Sequence, residues 1–347
     1  MSRVLIVATS KYTRGGITAV IKAQQRGEQW QKYNCKWIGY HVDRSNWIKV
    51  LYYLYALVRY IFLLPFYQIV HLQFSLPTDA KRAYLFFMVA KLYGKKTIIH
   101  LHCGDQLPQI WSPMYEKLFT SCDLALVLAP SIKRKIEEYI GTGYKVEVLY
   151  NPCPIISEIT PFDRREKEIL FAGTLNKNKG YADLIKGFSK IAKMHPDWKV
   201  VFAGNGEVEQ AKELADKLGV ANQCHFLGWV NGEQKDSAFR RASALCLASY
   251  QEGFPMAVLD AWAYGVPVVS TPAGGLIDIV KEGENGLIFE AGNADQLSEK
   301  LEQIISDAVL REHIAQESRH MADTTFNMDN LNRKLGEMYN SLVLKRL

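Results

Sequence analysis

Residues 248–275 read ASYQEGFPMAVLDAWAYGVPVVSTPAGG, and the pattern changes three times within them. An apolar run closes at Ser249, and a loop then carries Glu252, Gly253, Phe254 and Pro255. Helical spacing opens near Met256, and a second apolar run starts at Pro267. Strand, loop, helix and strand in so short a span make the βα unit of a parallel sheet, whose ligands bind beyond the strands' carboxyl ends. The first amides of the helix, at Met256 and Ala257, have no partner inside it and favour an anion. Asp260 lies about one turn in, and seven residues separate it from Glu252. The spacing lets both carboxylates reach one ligand, from the loop and from the helix. Carboxylates accept hydrogen bonds from sugar hydroxyls, and two acids beside an anion site do little for stability. The segment therefore points to a sugar-nucleotide site.

The same alternation extends in both directions. Candidate strands are RVLIVAT, CKWIGY, QIVHLQ, KTIIHLH, LALVLA and VEVLY, then EILFAG, KVVFAG, CHFLG, ALCLAS, PVVST and LIF. They lack strict polar alternation, as parallel strands buried on both faces should. Helical spacing fills the intervals 80–93, 132–140, 181–194 and 210–218. The pattern pauses at NPCPIISEITPFDRREKE, residues 151–168, where three prolines and a charge run read as a linker. The expectation is an α/β protein of two Rossmann-like, doubly wound parallel-sheet domains facing a cleft. The first covers residues 1–155 and is rejoined by a terminal helix at about 330–347; the second covers 165–328. Leu331, Leu335, Met338 and Leu342 give that terminal helix its apolar face.

A length of 347 residues suits two such domains, and 48% hydrophobic with 22% charged residues excludes disordered and fibrous classes. The six cysteines, at 35, 103, 122, 153, 224 and 246, show no metal or redox spacing and read as reduced thiols of a cytoplasmic protein. The opening residues read as a first strand, with too short an apolar run for a signal peptide. Residues 1–160 hold 20 Lys/Arg against 10 Asp/Glu, and the remainder 22 against 26. A basic half suits an anionic surface or acidic substrate as well as it suits plain solvated lysines. No stacking ribbon or motif for nucleic acid appears, so nucleic acid is not an expected partner. The most apolar stretch, residues 47–70, is interrupted by Arg59 and Pro65 and lacks a clean run of membrane-spanning length. A buried helix is the first reading and an interfacial helix the second.

Four further loops come after strands. Thr13-Arg14-Gly15-Gly16-Ile17 opens a helix, and its paired glycines fit either a close-approaching ligand or a plain turn. In HLHCGD, residues 100–105, alternation puts His100 and His102 on one side; no third ligand is suitably spaced, so His102 reads as a hydrogen-bonding residue. FAGTLNKNKGYADLI, residues 171–185, brings Lys177 and Lys179 to a helix starting near Tyr181, which suits a diphosphate. FAGNGE and FLGWV offer Gly204, Asn205, Trp229 and Val230 in turns whose backbone groups fit a planar base or are simple turn chemistry.

In these residues, from GGI at 15–17 through HLHCGD, Asn151-Pro152, Lys179-Gly180 and the EGFP segment, the chain resembles the family 4 retaining glycosyltransferases of the GT-B fold. The resemblance covers nearly the whole chain, and EGFP is its most specific part. It implies Gly15 and Gly16 near the diphosphate, His102 near the transferred sugar, and Lys179 neutralising the leaving group. It implies Glu252 on the sugar hydroxyls, Asp260 on the ribose, amides from Phe254 to Ala257 around phosphate with Gly253 beside them at the donor, and the backbone of Trp229 and Val230 at the base. Thr174 stands where the family has arginine, and Lys177 is the candidate substitute. Asp260 is one methylene shorter than the family's glutamate.

The resemblance thus implies a cytoplasmic, metal-independent transferase that takes a nucleotide diphosphate sugar, by resemblance UDP-linked, as co-substrate and has no cofactor. Its acceptor would be a glycan or lipid-linked molecule of bacterial-type surface polysaccharide synthesis, with peripheral contact at the inner membrane face. Asp-x-Asp, the usual carboxylate pair for a divalent metal, is absent from the sequence. Two other readings are a nucleotide-sugar epimerase of the same fold and a catalytically weak paralogue that only binds nucleotide sugar.

Overall fold

The computed structural model describes residues 2–75 and 77–344, so the last three residues of the expected terminal helix lie outside it. The chain divides into two compact units. Unit 1 runs to Pro152 and resumes at Met328; unit 2 is Cys153–Asn327. The first crossing falls at the start of the proline-bearing segment read as a linker.

Unit 1 holds β1 (Val4–Ala8), β2 (Lys36–Gly39), β3 (Ile69–Phe74), β4 (Lys96–Leu101), β5 (Leu124–Val127) and β6 (Val146–Val148). They form one parallel sheet in the order β2-β1-β3-β4-β5-β6. Unit 2 holds β7 (Glu168–Ala172), β8 (Lys199–Ala203), β9 (Cys224–Gly228), β10 (Ala244–Leu247), β11 (Val268–Ser270) and β12 (Leu287–Ile288). These are also parallel, in the order β12-β11-β10-β7-β8-β9. Each sheet is therefore doubly wound. The central strands β1, β3, β5 and β10 are buried along their whole length, which is why their sequences do not alternate. The edge strand β9 does alternate, because one of its faces meets solvent.

The terminal helix Met328–Leu344 packs on unit 1, burying Leu331, Leu335, Tyr339 and Leu342. Asn332 accepts from Gln29 at 2.9 Å, and the Tyr339 hydroxyl meets His71 Nδ1 at 2.8 Å. No disulfide joins any of the six cysteines, and four of them are buried.

The apolar stretch departs from its first reading. The helix Asn46–Leu63 buries only Ala56 and Tyr60 and turns most of its large side chains outward. With the turn after it, residues 46–66 are long and apolar enough to cross a membrane by length and composition. The buried-helix reading fails because tyrosines make the packed face, which leaves the aliphatic stripe outside.

Candidate functional site

A parallel sheet opens a crevice where its strand order reverses. In unit 2 the chain runs β7, β8, β9 to one side and then restarts with β10 on the other side of β7. The loops leaving β7 and β10 are thus the pair that flanks the reversal, and they carry Lys179 and Glu252.

The loop after β7 forms a short turn over Lys177–Lys179, capped by Asn176, whose side chain accepts from the Lys179 amide at 3.0 Å. Gly180 then turns left-handed at φ 65°, and a Cβ there would lie 2.1 Å from the Ala248 carbonyl oxygen. Only glycine lets the two loops approach this closely. The Tyr250 amide donates to the Asn178 carbonyl at 2.8 Å, and Asn178 Nδ2 donates to the Gln251 carbonyl at 3.0 Å. So fastened, Lys179 Nζ lies 2.5 Å from Glu252 Oε1. The Glu252 side chain is only 9% exposed, and a cation is what such a carboxylate needs.

On the far side of Glu252 the Gly275 amide donates to the Gly253 carbonyl at 2.8 Å, and Gly274 packs against the same backbone. The Phe254 ring is buried against Phe326 at 5.4 Å, so only its main chain can face a ligand. The helix Met256–Ala263 starts there, capped by Pro255 without a side-chain hydrogen bond. The amides of Met256 and Ala257 therefore head the helix with its positive end.

Asp260 has a cationic partner of its own. It is buried and pairs with Lys235 Nζ at 2.6 Å. Burial pushes its carboxyl above the usual range, and Lys235 pulls it part of the way back. The sequence gives no signal for Lys235, which lies on another helix, Glu233–Arg241, with no motif around it.

The glycine turns are fastened to the loop after β7. The Leu175 amide donates to the Asn205 carbonyl at 2.7 Å, and the Glu207 amide to the Leu175 carbonyl at 2.8 Å. Gly204 fits because a Cβ would meet the Gly173 carbonyl at 1.7 Å. Thr174, Lys177, Asn205 and Trp229 are exposed around this surface, with Val230 half-buried.

In unit 1 the strand order reverses between β1 and β3. Gly15 caps the helix Gly16–Gln24 at φ 145°, a conformation other residues rarely adopt, with nothing within 4 Å of a Cβ position. His102, just past β4, shares a face with His100, ring centroids 4.2 Å apart, and His71 stacks beyond at 5.5 Å. Gln73 donates its amide to Gln24 Oε1 at 2.9 Å, which leaves its oxygen, 3.0 Å away, to accept from His102 Nε2. That arrangement puts the proton on Nε2 and the lone pair on Nδ1. Burial pushes both His71 and His102 down to about 3, so the column is neutral at pH 7. Gln24 and Gln73 carry no sequence signal. Among the described residues, no group of three or more His, Cys, Asp or Glu is placed to hold a metal ion.

Two parallel six-stranded units of this kind, one carrying a cation and an acid at its switch point, define the GT-B class. Residues 154–321 match the model of the group 1 glycosyl transferases. An uncharacterized glycosyltransferase of Methanocaldococcus jannaschii is 29% identical over 68% of this chain and 65% of its own length. A Campylobacter jejuni α-1,4-N-acetyl-D-galactosaminyltransferase, named for an undecaprenol-diphosphate-linked acceptor, is 30% identical over 67% of this chain and 65% of its own. The chain thus spans just under two thirds of the length of these relatives. HepE of Anabaena, solved with UDP-glucose, superposes with a TM-score of 0.79 at 16% identity, covering 98% of this chain and 100% of HepE. In sequence and in fold the chain is similar to family 4-like GT-B glycosyltransferases, as the EGFP segment implies.

Proposed function

We propose that the protein is a retaining, metal-independent glycosyltransferase that moves a sugar from a UDP-sugar to a glycan or lipid-linked acceptor. The setting is surface polysaccharide synthesis at the cytoplasmic face of the membrane. The observation that carries the reading is the Lys179–Glu252 pair at the strand reversal, beside the free amides of the Met256 helix. HepE's complexes with UDP and UDP-glucose support the donor class. The acceptor in the Campylobacter enzyme's name supports a lipid diphosphate carrier.

In this reading unit 2 holds the donor. Lys179 and the helix terminus meet the charge that develops on the departing diphosphate, and Glu252 takes hydroxyls of the transferred sugar. Asp260 and Lys235 act as one unit at the ribose, and the turns at Gly204, Asn205, Trp229 and Val230 take the base. Lys177 near exposed Thr174 supplies the remaining cation. For Gly15, Gly16 and His102 in unit 1 the reading keeps the roles that the resemblance implies, and neutral His102 can only accept, at Nδ1, because its Nε2–H is held by Gln73. No resident cofactor is needed.

A panel of nucleotide sugars, assayed for nucleoside diphosphate release and for the anomer of the product, tests the proposal. Release from a UDP-sugar in excess chelator, with configuration kept, is expected. Metal-reversible loss would refute metal independence. A second reading, a nucleotide-sugar binder without turnover, is motivated by Asp260 being already engaged by Lys235. Tight donor binding with no release in any acceptor mixture would select it.

A further inference from the structure

We infer that the outward face of the helix Asn46–Leu63 is a docking surface for an anionic phospholipid bilayer, on which the helix lies flat.

Trp47, Leu51, Leu54, Val58, Ile61 and Phe62 recur at three- and four-residue steps and so form one stripe, with Val50 and Tyr55 on its margins. Every one of these side chains is exposed, and no charged residue interrupts the stripe. Trp47 is 81% exposed, Tyr55 62%, Phe62 74% and, just beyond the helix, Phe66 61%. At roughly 150–250 Å² per ring, these four aromatics alone present about 400–700 Å². The largest patch on an ordinary monomer is about 300–600 Å² in all, so the aliphatic side chains take this one beyond the usual range.

Three features select a bilayer as the occupant. The first is charge. Between Asp43 and Asp79 there is no acidic residue, whereas Arg44, Lys49 and Arg59 lie on or beside the helix. The second is a pocket of about 670 Å³ at the helix's start, lined by Tyr12, Arg14, Asp43, Arg44, Ile48 and Tyr52. Its two guanidiniums against one carboxylate suit a headgroup phosphate at the end of the apolar stripe. The third is aromatic placement, with Trp and Tyr distributed as at a membrane interface.

The inward face shows why the helix lies on the surface instead of crossing. The hydroxyls of Tyr53 and Tyr60 donate to the Arg82 and Phe86 carbonyls at 3.1 and 2.8 Å, and Tyr52 donates to Ser10 Oγ at 3.2 Å. The Tyr60 ring packs edge-on against Phe86 at 4.9 Å. A helix stitched to its own unit along one side offers the bilayer only the other side.

The test is flotation of the whole protein, without donor, with vesicles of phosphatidylcholine alone and of phosphatidylcholine mixed with phosphatidylglycerol. The result is thus independent of the transferase reading. The protein should float with the anionic vesicles, and high salt should weaken that binding by about fivefold for each basic residue screened. Leu51→Glu with Val58→Glu should cut binding at least about tenfold while leaving the melting temperature unchanged, since both side chains are exposed. Brominated lipid should quench the wild type more than Trp47→Phe, which keeps binding; this readout survives even if the double variant folds poorly. Absence of flotation with either vesicle at low salt would overturn the proposal. So would a wild-type dimer that does not float and that the double variant dissociates, because a second copy would then be what covers the stripe.

Discussion

Both units are doubly wound parallel sheets of six strands, in different strand orders, and they use that architecture differently. In unit 2 the loops at the strand reversal are bound to each other, main chain to main chain, until a lysine and a nearly buried glutamate meet. In unit 1 the corresponding region has an open glycine cap, a neutral histidine column and, nearby, an exposed apolar helix. Strand order alone does not account for this: in both units the first strand borders the reversal, with one strand beyond it in unit 1 and two in unit 2. The contrast comes from the loops, where glycines without room for a Cβ force contact in one unit, and a glycine with open space leaves the other accessible. Fixed charge suits a donor that must lose a diphosphate, and an open surface suits an acceptor delivered from outside.

The largest effect expected from this contrast is on turnover. Lys179→Ala should lower donor turnover by about 10²–10³, the usual loss of one preorganised charge contact. It also leaves the Glu252 carboxylate without its lysine, so stability should fall somewhat. Adding Glu252→Gln should restore the melting temperature and leave turnover low. If Lys179→Ala keeps near-normal turnover at saturating donor, unit 2's charge pair is not the leaving-group device.

Next come the glycines. Gly180→Ala combines a left-handed backbone with a Cβ placed 2.1 Å from a carbonyl oxygen, and should cost about 2–4 kcal/mol in urea unfolding. Gly15→Ala meets nothing and should cost only backbone strain, about 1–3 kcal/mol. A larger loss at Gly15 would invert the distinction between crowded and open loops.

Acid should also tell the units apart. His71 is fully buried and held neutral, its pKa depressed from about 6.5 to about 3. Between those values the unfolded chain binds the proton and the folded one does not. The stability this imidazole contributes is therefore intact above about 6.5 and is lost as the pH falls toward about 3. The slope is about 1.4 kcal/mol per pH unit for each such group. Among the described residues His71 and His100 are the buried histidines, and both are in unit 1. Amide exchange on acidification should open β3 and β4 before β7 and β8, and simultaneous opening would remove this difference.

The smallest effect concerns Thr174. It is exposed in the loop after β7, and Thr174→Arg should tighten donor binding only a few-fold, about 0.5–1 kcal/mol, as expected for a solvated ion pair. Titration of UDP into both forms measures it. No change would mean that Lys177 or the helix terminus already supplies the needed charge.

Much of the fold and of unit 2's site is legible in the residues. Uninterrupted aliphatic runs identify the central strands because both of their faces are covered, and EGFP with Lys179-Gly180 marks the loops that meet at the reversal. The hidden parts depend on elements distant in sequence. Lys235 reaches Asp260 from another helix, and Gln24 and Gln73 fix His102 through a chain of amides with no motif of its own. Apolar content alone misreads the helix Asn46–Leu63, since it says nothing about which face is covered. Its tyrosine hydroxyls find carbonyls on the inner side, and so the aliphatic side faces out.

Whether the switch point of unit 2 holds a nucleotide diphosphate is decided most directly by a crystal structure with UDP bound. The diphosphate should lie about 3 Å from Lys179 Nζ and from the amides of Met256 and Ala257, with a ribose hydroxyl on Asp260. A diphosphate seated instead on Arg14 and Arg44 in the pocket of unit 1, with Lys179 still bound to Glu252, would refute that assignment.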